Sequence, residues 1–410
     1  MKGLEIRLLF IMHLINKTIL ALYDRVYIYS RLLVSLLLCL FCKVKKGRIV
    51  LWSTTGKDYS CNPLYISNYL LDYEMDTFEV YWLYKKNLDK SVFDSRIKAV
   101  RFGSIMHLYV MQTAEFLVTN HRTSTKAMLW IKRAKQKYIM TWHGSMALKK
   151  IEKDAIKSLG SHYEKFARKD SANCSLMLSD SEWFSHLLRN SFWYDGEILQ
   201  EGMPRNDIFY YKEKHANIRN KVSKELSISN NSDKIIVLYA PTFRTDHSTS
   251  QYILKWGNIK AKIESILKKD VVFLMRLHPT LLDIVDTSEL ISESFVRNAS
   301  SYDNIQELLI ASDILITDYS STMFEFALLG KPCFLFTPDV ESYDRGFYFP
   351  IGDLPFPSSL TEDSLVNRII SFNSDSYYKN VDSFMSRTFN VKGDGHACER
   401  VVLWMKKHSS

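Results

Sequence analysis

Residues 302–338 read YDNIQELLIASDILITDYSSTMFEFALLGKPCFLFTP, and their apolar spacing decides the fold class. Ile305, Leu308, Leu309 and Ala311 recur at helical spacing, with Asp303 placed as the cap. Ile314-Leu315-Ile316, between Asp313 and Asp318, is a short apolar run of the kind that becomes a buried parallel strand. A second helix carries Phe324, Ala327 and Leu328 on one face and stops at Gly330, with Pro332 just beyond. Cys333 to Phe336 is the next strand. Helix, strand, helix, strand is one unit of a doubly wound α/β sheet.

In such a sheet, ligands sit beyond the carboxyl ends of strands, at helix N-termini. Asp318-Tyr319-Ser320-Ser321 occupies that place. Ser320 and Ser321 offer two hydroxyls beside free N–H groups, a setting that binds phosphate; plain N-capping by a serine pair is the alternative. Glu325, one turn further on, carries a carboxylate able to accept bonds from a ribose diol.

Outward from this unit, the strand–loop pattern recurs. Arg48–Trp52 reads as a first strand, followed by a turn-rich loop to Pro63 and a helix to about Tyr73. Phe78–Tyr84, Ala99–Phe102, Phe116–Thr119 and Leu176–Leu178 read as further strands of one domain. Lys234–Tyr239 and Val271–Arg276 open a second. The loops after these strands hold the candidate chemistry. His143 follows the strand ending at Thr141, and an imidazole there suits a general base; a structural histidine is the alternative. Gly144 lets backbone approach a ligand closely. Arg205, in the tight turn Gly202-Met203-Pro204-Arg205-Asn206-Asp207, suits a charge-assisted bond to phosphate or an Arg–Asp pair. Pro241 and Thr242 lie where the second domain's first loop meets a nucleotide. Arg276 and His278 alternate onto one side of an extended chain, within reach of a pyrophosphate. Neither a P-loop nor a G-x-G-x-x-G motif occurs.

The chain has 410 residues, enough for two α/β domains. Of the net charge of +9, residues 1–50 contribute +7: nine Lys/Arg against Glu5 and Asp24. That asymmetry points to an anionic surface at the N-terminus and away from a nucleic-acid-coating protein. Within residues 1–46, Leu8 to Leu22 reads as one helix. Leu32 to Cys42 is an 11-residue charge-free run, short of the ~20 residues a bilayer span needs. A monotopic anchor on the cytoplasmic face of the cell membrane fits this segment; a core helix and a tilted span are the alternatives. Residues 126–153 hold eight Lys/Arg with Glu152 as their acidic residue, a basic rim for a polyanion or a solvated face. Cys39 and Cys42 form a C-x-x-C inside an apolar run and read as buried thiols; neither a disulfide, a protein-bound metal nor a cofactor is expected.

Taken together, several motifs resemble the CDP-glycerol glycerophosphotransferases of teichoic-acid and capsule synthesis over about residues 47–405. They are Trp142-His143-Gly144, Gly202 to Asp207, Tyr239 to Arg244, Arg276-Leu277-His278-Pro279, Arg345-Gly346-Phe347-Tyr348 and Asp394 to Val401, where the final helix begins with Asp394 as its cap. The resemblance implies a GT-B-like pair of Rossmann-like domains facing a cleft, here 47–212 for the acceptor and 213–410 for the CDP donor. It implies glycerol-phosphate transfer from CDP-glycerol to an anionic or lipid-linked polymer, with CMP released. His143 is the implied base, with His278 toward the leaving CMP. Gly144, Ser145, Arg205, Pro241, Thr242, Arg276, Ser320, Ser321 and Glu325 are the expected donor-binding residues. Two positions depart from the family: Ser145-Met146 stands for Thr-Pro, and Glu325 for Asp. A CDP-ribitol transferase, a GT-B glycosyltransferase and a non-catalytic scaffold remain as alternatives, and homo-oligomerisation is left open.

Overall fold

A computed structural model describes residues 26–86, 88–123, 128–229, 232–244, 254–277, 293–343 and 346–409. Two sheets form, and every strand pair in them is parallel. The first contains β1 (Lys45–Trp52), β2 (Glu79–Tyr84), β3 (Lys98–Arg101), β4 (Ala114–Thr119), β5 (Lys137–Met140), β6 (Leu176–Ser179) and β7 (Glu197–Gln200), in the order β3-β2-β1-β4-β5-β6-β7. The second contains β8 (Lys234–Ala240), β9 (Asp270–Met275), β10 (Val296–Asn298), β11 (Ile314–Thr317), β12 (Cys333–Phe336) and β13 (Ser358–Ser359), in the order β10-β9-β8-β11-β12-β13. In both, the chain winds outward and returns beside its first strand. The switch points lie between β1 and β4 and between β8 and β11, and each opens a crevice at the strands' carboxyl ends.

Side-chain alternation explains why both faces of the first sheet are covered. Ile49, Leu51, Phe116, Val118 and Ile139 enter one core, while Val50, Trp52, Leu117, Tyr138 and Met140 enter the other. The closing layer of the first core comes from the far end of the chain. The helix Ala397–His408 inserts Val401, Val402, Trp404 and Met405 there. By position this helix falls within 213–410, yet its apolar side chains pack in the first sheet's core. The cap differs too: Asp207 accepts the Ala397 and Cys398 N–H groups at 3.0 and 2.8 Å, whereas Asp394 pairs with Arg400. Likewise Asn304, rather than Asp303, caps the helix Ile305–Ala311, accepting from the Gln306 N–H at 3.2 Å.

β1 begins at Lys45, so the preceding segment ends earlier than residue 46. Residues 26–41 are helical, and the expected Leu8–Leu22 helix lies outside the described residues. Ser35 Oγ donates to the Leu129 carbonyl at 2.7 Å, and Cys39 Sγ meets Gln112 Oε1 at 3.2 Å, so one side of this helix docks on the first sheet's helical layer. The other side leaves Tyr29, Leu33, Leu40 and Phe41 exposed. No described helix is long and apolar enough to cross a membrane. All six cysteines are free thiols.

His107 lies buried beneath this helix, with Nε2 unpartnered and Arg31 nearby. Burial first, and the Arg31 charge second, push its pKa down to about 4. The unfolded chain therefore binds a proton that the folded one refuses between about pH 6.5 and 4, and stability falls with pH through that window. Lowering pH from 7 to 5 is expected to remove about 2 kcal/mol through this group alone. Urea unfolding of His107→Gln against the parent should show a flatter pH dependence; parallel curves would refute it.

Candidate active site

The cleft site is assembled from loops at the carboxyl ends of β1, β4, β5, β8, β9 and β11. Asn62 ties three chain segments together near its centre. Fully buried, its Nδ2 donates to the Trp142 carbonyl at 2.9 Å and more weakly to that of Thr141 at 3.4 Å, while its Oδ1 accepts the Arg205 N–H at 2.9 Å. The loop before Pro63 thus fixes both the His143 loop and the Pro204–Phe209 turn. Asn62→Ala is expected to cost about 2–3 kcal/mol by leaving buried backbone groups unpaired. A shifted urea midpoint together with reduced turnover would register it.

His143 projects from this framework. Its Nδ1 lies 3.1 Å from the Asn120 carbonyl oxygen. A carbonyl can only accept, so Nδ1 carries the proton and Nε2 keeps its lone pair for another partner. The His121 ring stacks on it, centroids 4.5 Å apart and planes 12° from parallel. Surrounding protein, then His121 and Arg205, lower the His143 pKa, against the opposing Asn120 carbonyl. The residue remains exposed to the cleft, so solvent weakens this shift without reversing it, and the imidazole is neutral at pH 7. Burial also lowers the His121 pKa, with Asp58 opposing.

Across the cleft, the two halves meet. A Cβ placed on Gly144 would lie 3.6 Å from Ser321 Oγ and 3.7 Å from an Arg205 Nη. Ser321 stands at the start of the seven-residue helix Thr322–Leu328 but makes no side-chain capping bond; its neighbour Ser320 accepts weakly from the Thr322 N–H at 3.3 Å. Arg205 and Glu325 form a buried ion pair, with Arg205 Nε donating to Glu325 Oε1 at 2.9 Å. The structure therefore joins these two expected donor ligands to each other. Arg205 also lies 3.5 Å from Cys61 Sγ.

Other expected donor residues hold the walls. Ser145 is buried and donates to Asp180, which takes up its hydroxyl and shapes its loop. Burial raises the Asp180 pKa to about 6, with the hydrogen bond from Ser145 opposing. The Thr242 N–H donates to both Asp318 oxygens at 2.9 and 3.0 Å, which holds the Pro241-Thr242 loop against β11. Arg244 clamps the same wall, pairing with Asp318 at 2.9 Å and with Asp339. Arg276 donates through Nη1 to the Ala299 carbonyl at 3.2 Å and to that of Tyr302. Burial brings its pKa down to about 10, against the pull of Asp303 and Asp58. His278 lies outside the described residues. Among the described residues, no group of three or more His, Cys, Asp or Glu stands close enough to hold a metal ion.

The sequence reading passed over Asn120, His121 and the roles of Asn62 and Asp180. Asn120-His121 directly follows β4, which borders a switch point, so the carboxyl-end rule was the signal available there.

Two doubly wound sheets facing a cleft, with an imidazole from one side and hydroxyls and a carboxylate from the other, define a GT-B-like fold. The chain belongs to the CDP-glycerol:poly(glycerophosphate) glycerophosphotransferase family, which matches residues 32–406. It is 31% identical over 365 residues to the teichoic acid poly(glycerol phosphate) polymerase of Staphylococcus epidermidis, covering 85% of this chain and 49% of that protein. The chain thus spans about half the length of that relative. The polymerase of the same name from Bacillus spizizenii is 31% identical, with 84% of this chain and 89% of that protein aligned. The structure is also similar to that of the wall teichoic acid polymerase TagF, with a TM-score of 0.77, 30% identity and 89% of each chain covered. A TagF variant soaked with CDPG superposes at the same TM-score of 0.77 and 29% identity.

Proposed function

We propose that this chain transfers glycerol phosphate from CDP-glycerol to a hydroxyl of a membrane-linked or polymer acceptor, in teichoic-acid or other cell-surface polymer synthesis. The observation that carries this reading is the contact of the His143-Gly144 loop with Ser321 and Arg205 across the cleft. His143 Nε2 takes the acceptor's hydroxyl proton. The acceptor oxygen attacks the β-phosphorus, the bond from that phosphorus to the bridging oxygen breaks, and CMP leaves with the electron pair. Arg205, Arg276 and the Ser320-Ser321 hydroxyls provide the cationic and hydrogen-bonding surroundings that phosphoryl transfer requires. His278 is the proposed acid toward CMP.

The exposed apolar side of residues 26–41, with Lys43 just beyond it, supports attachment to the cytoplasmic face of the cell membrane. The test is CMP release by purified protein offered CDP-glycerol, CDP-ribitol and a nucleotide sugar with membrane-lipid acceptors. Release from CDP-glycerol is expected. Release from CDP-ribitol alone would move the reading to the polyol relative, and sugar transfer without CMP release from either polyol would reject it.

A further inference from the structure

We propose that a basic groove at the carboxyl ends of β2 and β3 holds the phosphate-bearing backbone of the acceptor polymer, on the same carboxyl edge of the first sheet as the reaction centre. This rests on the functional reading above and extends it to a second subsite. The groove has a volume of about 730 Å³ and is lined by Tyr84, Lys86, Lys90, Arg101, Ser104 and Met106, among others. Lys86, Lys90 and Arg101 are exposed, and among the described residues none of the three makes an ion pair. Asp89 also lines it as one charge of opposite sign, its carboxylate accepting the Ser91 N–H at 3.0 Å, against the three cations. Elsewhere on β3, Lys98 is neutralised by Glu79, so the unpaired charge gathers at the carboxyl end.

A chain of hydrogen bonds links the groove's loop to the site. The Lys85 N–H donates to the Gly56 carbonyl at 2.7 Å, which joins the loop after β2 to the loop after β1. That second loop is held in turn by Asn120, whose Oδ1 accepts the Thr54 N–H at 3.0 Å and whose carbonyl orients His143. The groove and His143 both lie at the carboxyl ends of the first sheet's strands, so an acceptor chain extending along that edge from His143 reaches three cations free of ion pairs. Tyr84 and Met106 give the walls an apolar component suited to three-carbon links between phosphates. A polymer with one negative charge per repeat gains little from each exposed contact but sums over several. Ile105 and Met106 are exposed at the rim, so a bilayer is the competing occupant. The three cations in its lining and the hydrogen-bonded link to the His143 loop favour a strand-like polyanion.

The experiment compares the parent with the triple variant Lys86→Ala/Lys90→Ala/Arg101→Ala. Binding of soluble poly(glycerol phosphate) is expected to weaken about tenfold at low salt, with the gap closing as salt rises. Turnover with an acceptor bearing a single glycerol phosphate should stay unchanged. Unaltered polymer binding would overturn the proposal, and so would an equal loss with the single-unit acceptor. Loss of binding to phosphatidylglycerol vesicles with polymer binding intact would assign the groove to the bilayer and overturn it as well. Polymer binding is read without turnover, so failure of the parent to release CMP from any CDP-polyol would count against the functional reading alone.

Discussion

Replacing His143 with alanine is expected to lower CMP release from CDP-glycerol by about 10²–10⁴-fold, the range associated with losing a positioned general base. The fold should survive, because the ring makes one hydrogen bond, to the Asn120 carbonyl, and otherwise stacks on His121 and Trp142. The pH profile supplies a second readout. The neutral ring is the active form, and its surroundings lower its pKa. The acid limb of kcat/KM in the parent should therefore fall below the ordinary histidine value near 6.5. A limb at or above 6.5 would argue against this base. His121→Ala removes the stacked neighbour that helps depress the pKa, so it should move that limb upward without the full loss of rate.

The second large effect concerns the pair across the cleft. Glu325→Ala leaves the Arg205 guanidinium buried without its carboxylate, and breaking such a pair from one side costs about 3–5 kcal/mol. The double variant Arg205→Met/Glu325→Ala should recover much of that stability while remaining inactive, because both charges are then removed together. Glu325→Asp is the informative control, since the family's usual acid is one methylene shorter. It should keep the pair and much of the stability but alter turnover. Equal destabilisation by the single and double variants in urea unfolding would show that the ion pair is not what holds this contact.

Much of this architecture was legible in residues 302–338. The run Ile314-Leu315-Ile316 became β11, and Asp318 to Ser321 fell at its carboxyl end beside a switch point. Edge strands were harder. β7, β10 and β13 are two to four residues long and carry weak apolar patterns, as in Ser358–Ser359. Local spacing also misplaced two caps. Asp303 and Asp394 stood at sensible distances from their helices, but Asn304 and Asp207 have the bonds. The Asp207 bond joins residues 190 positions apart, which no local pattern records. For the same reason the partners of Arg205 and Ser145 were not readable. Sequence supplied the functional groups, whereas tertiary contact decided that Glu325 and Asp180 would take them up.

The helix Ala397–His408 has a consequence for how the chain must be made. Its Val401, Val402, Trp404 and Met405 complete the core beneath β1, a strand made far earlier in the chain. Until residues 397–408 have been synthesised, that face of the first sheet is uncovered, and its apolar side chains are available to other partners. Folding of the first sheet is thereby tied to synthesis of this helix, and a nascent chain halted before residue 397 leaves that core unfinished.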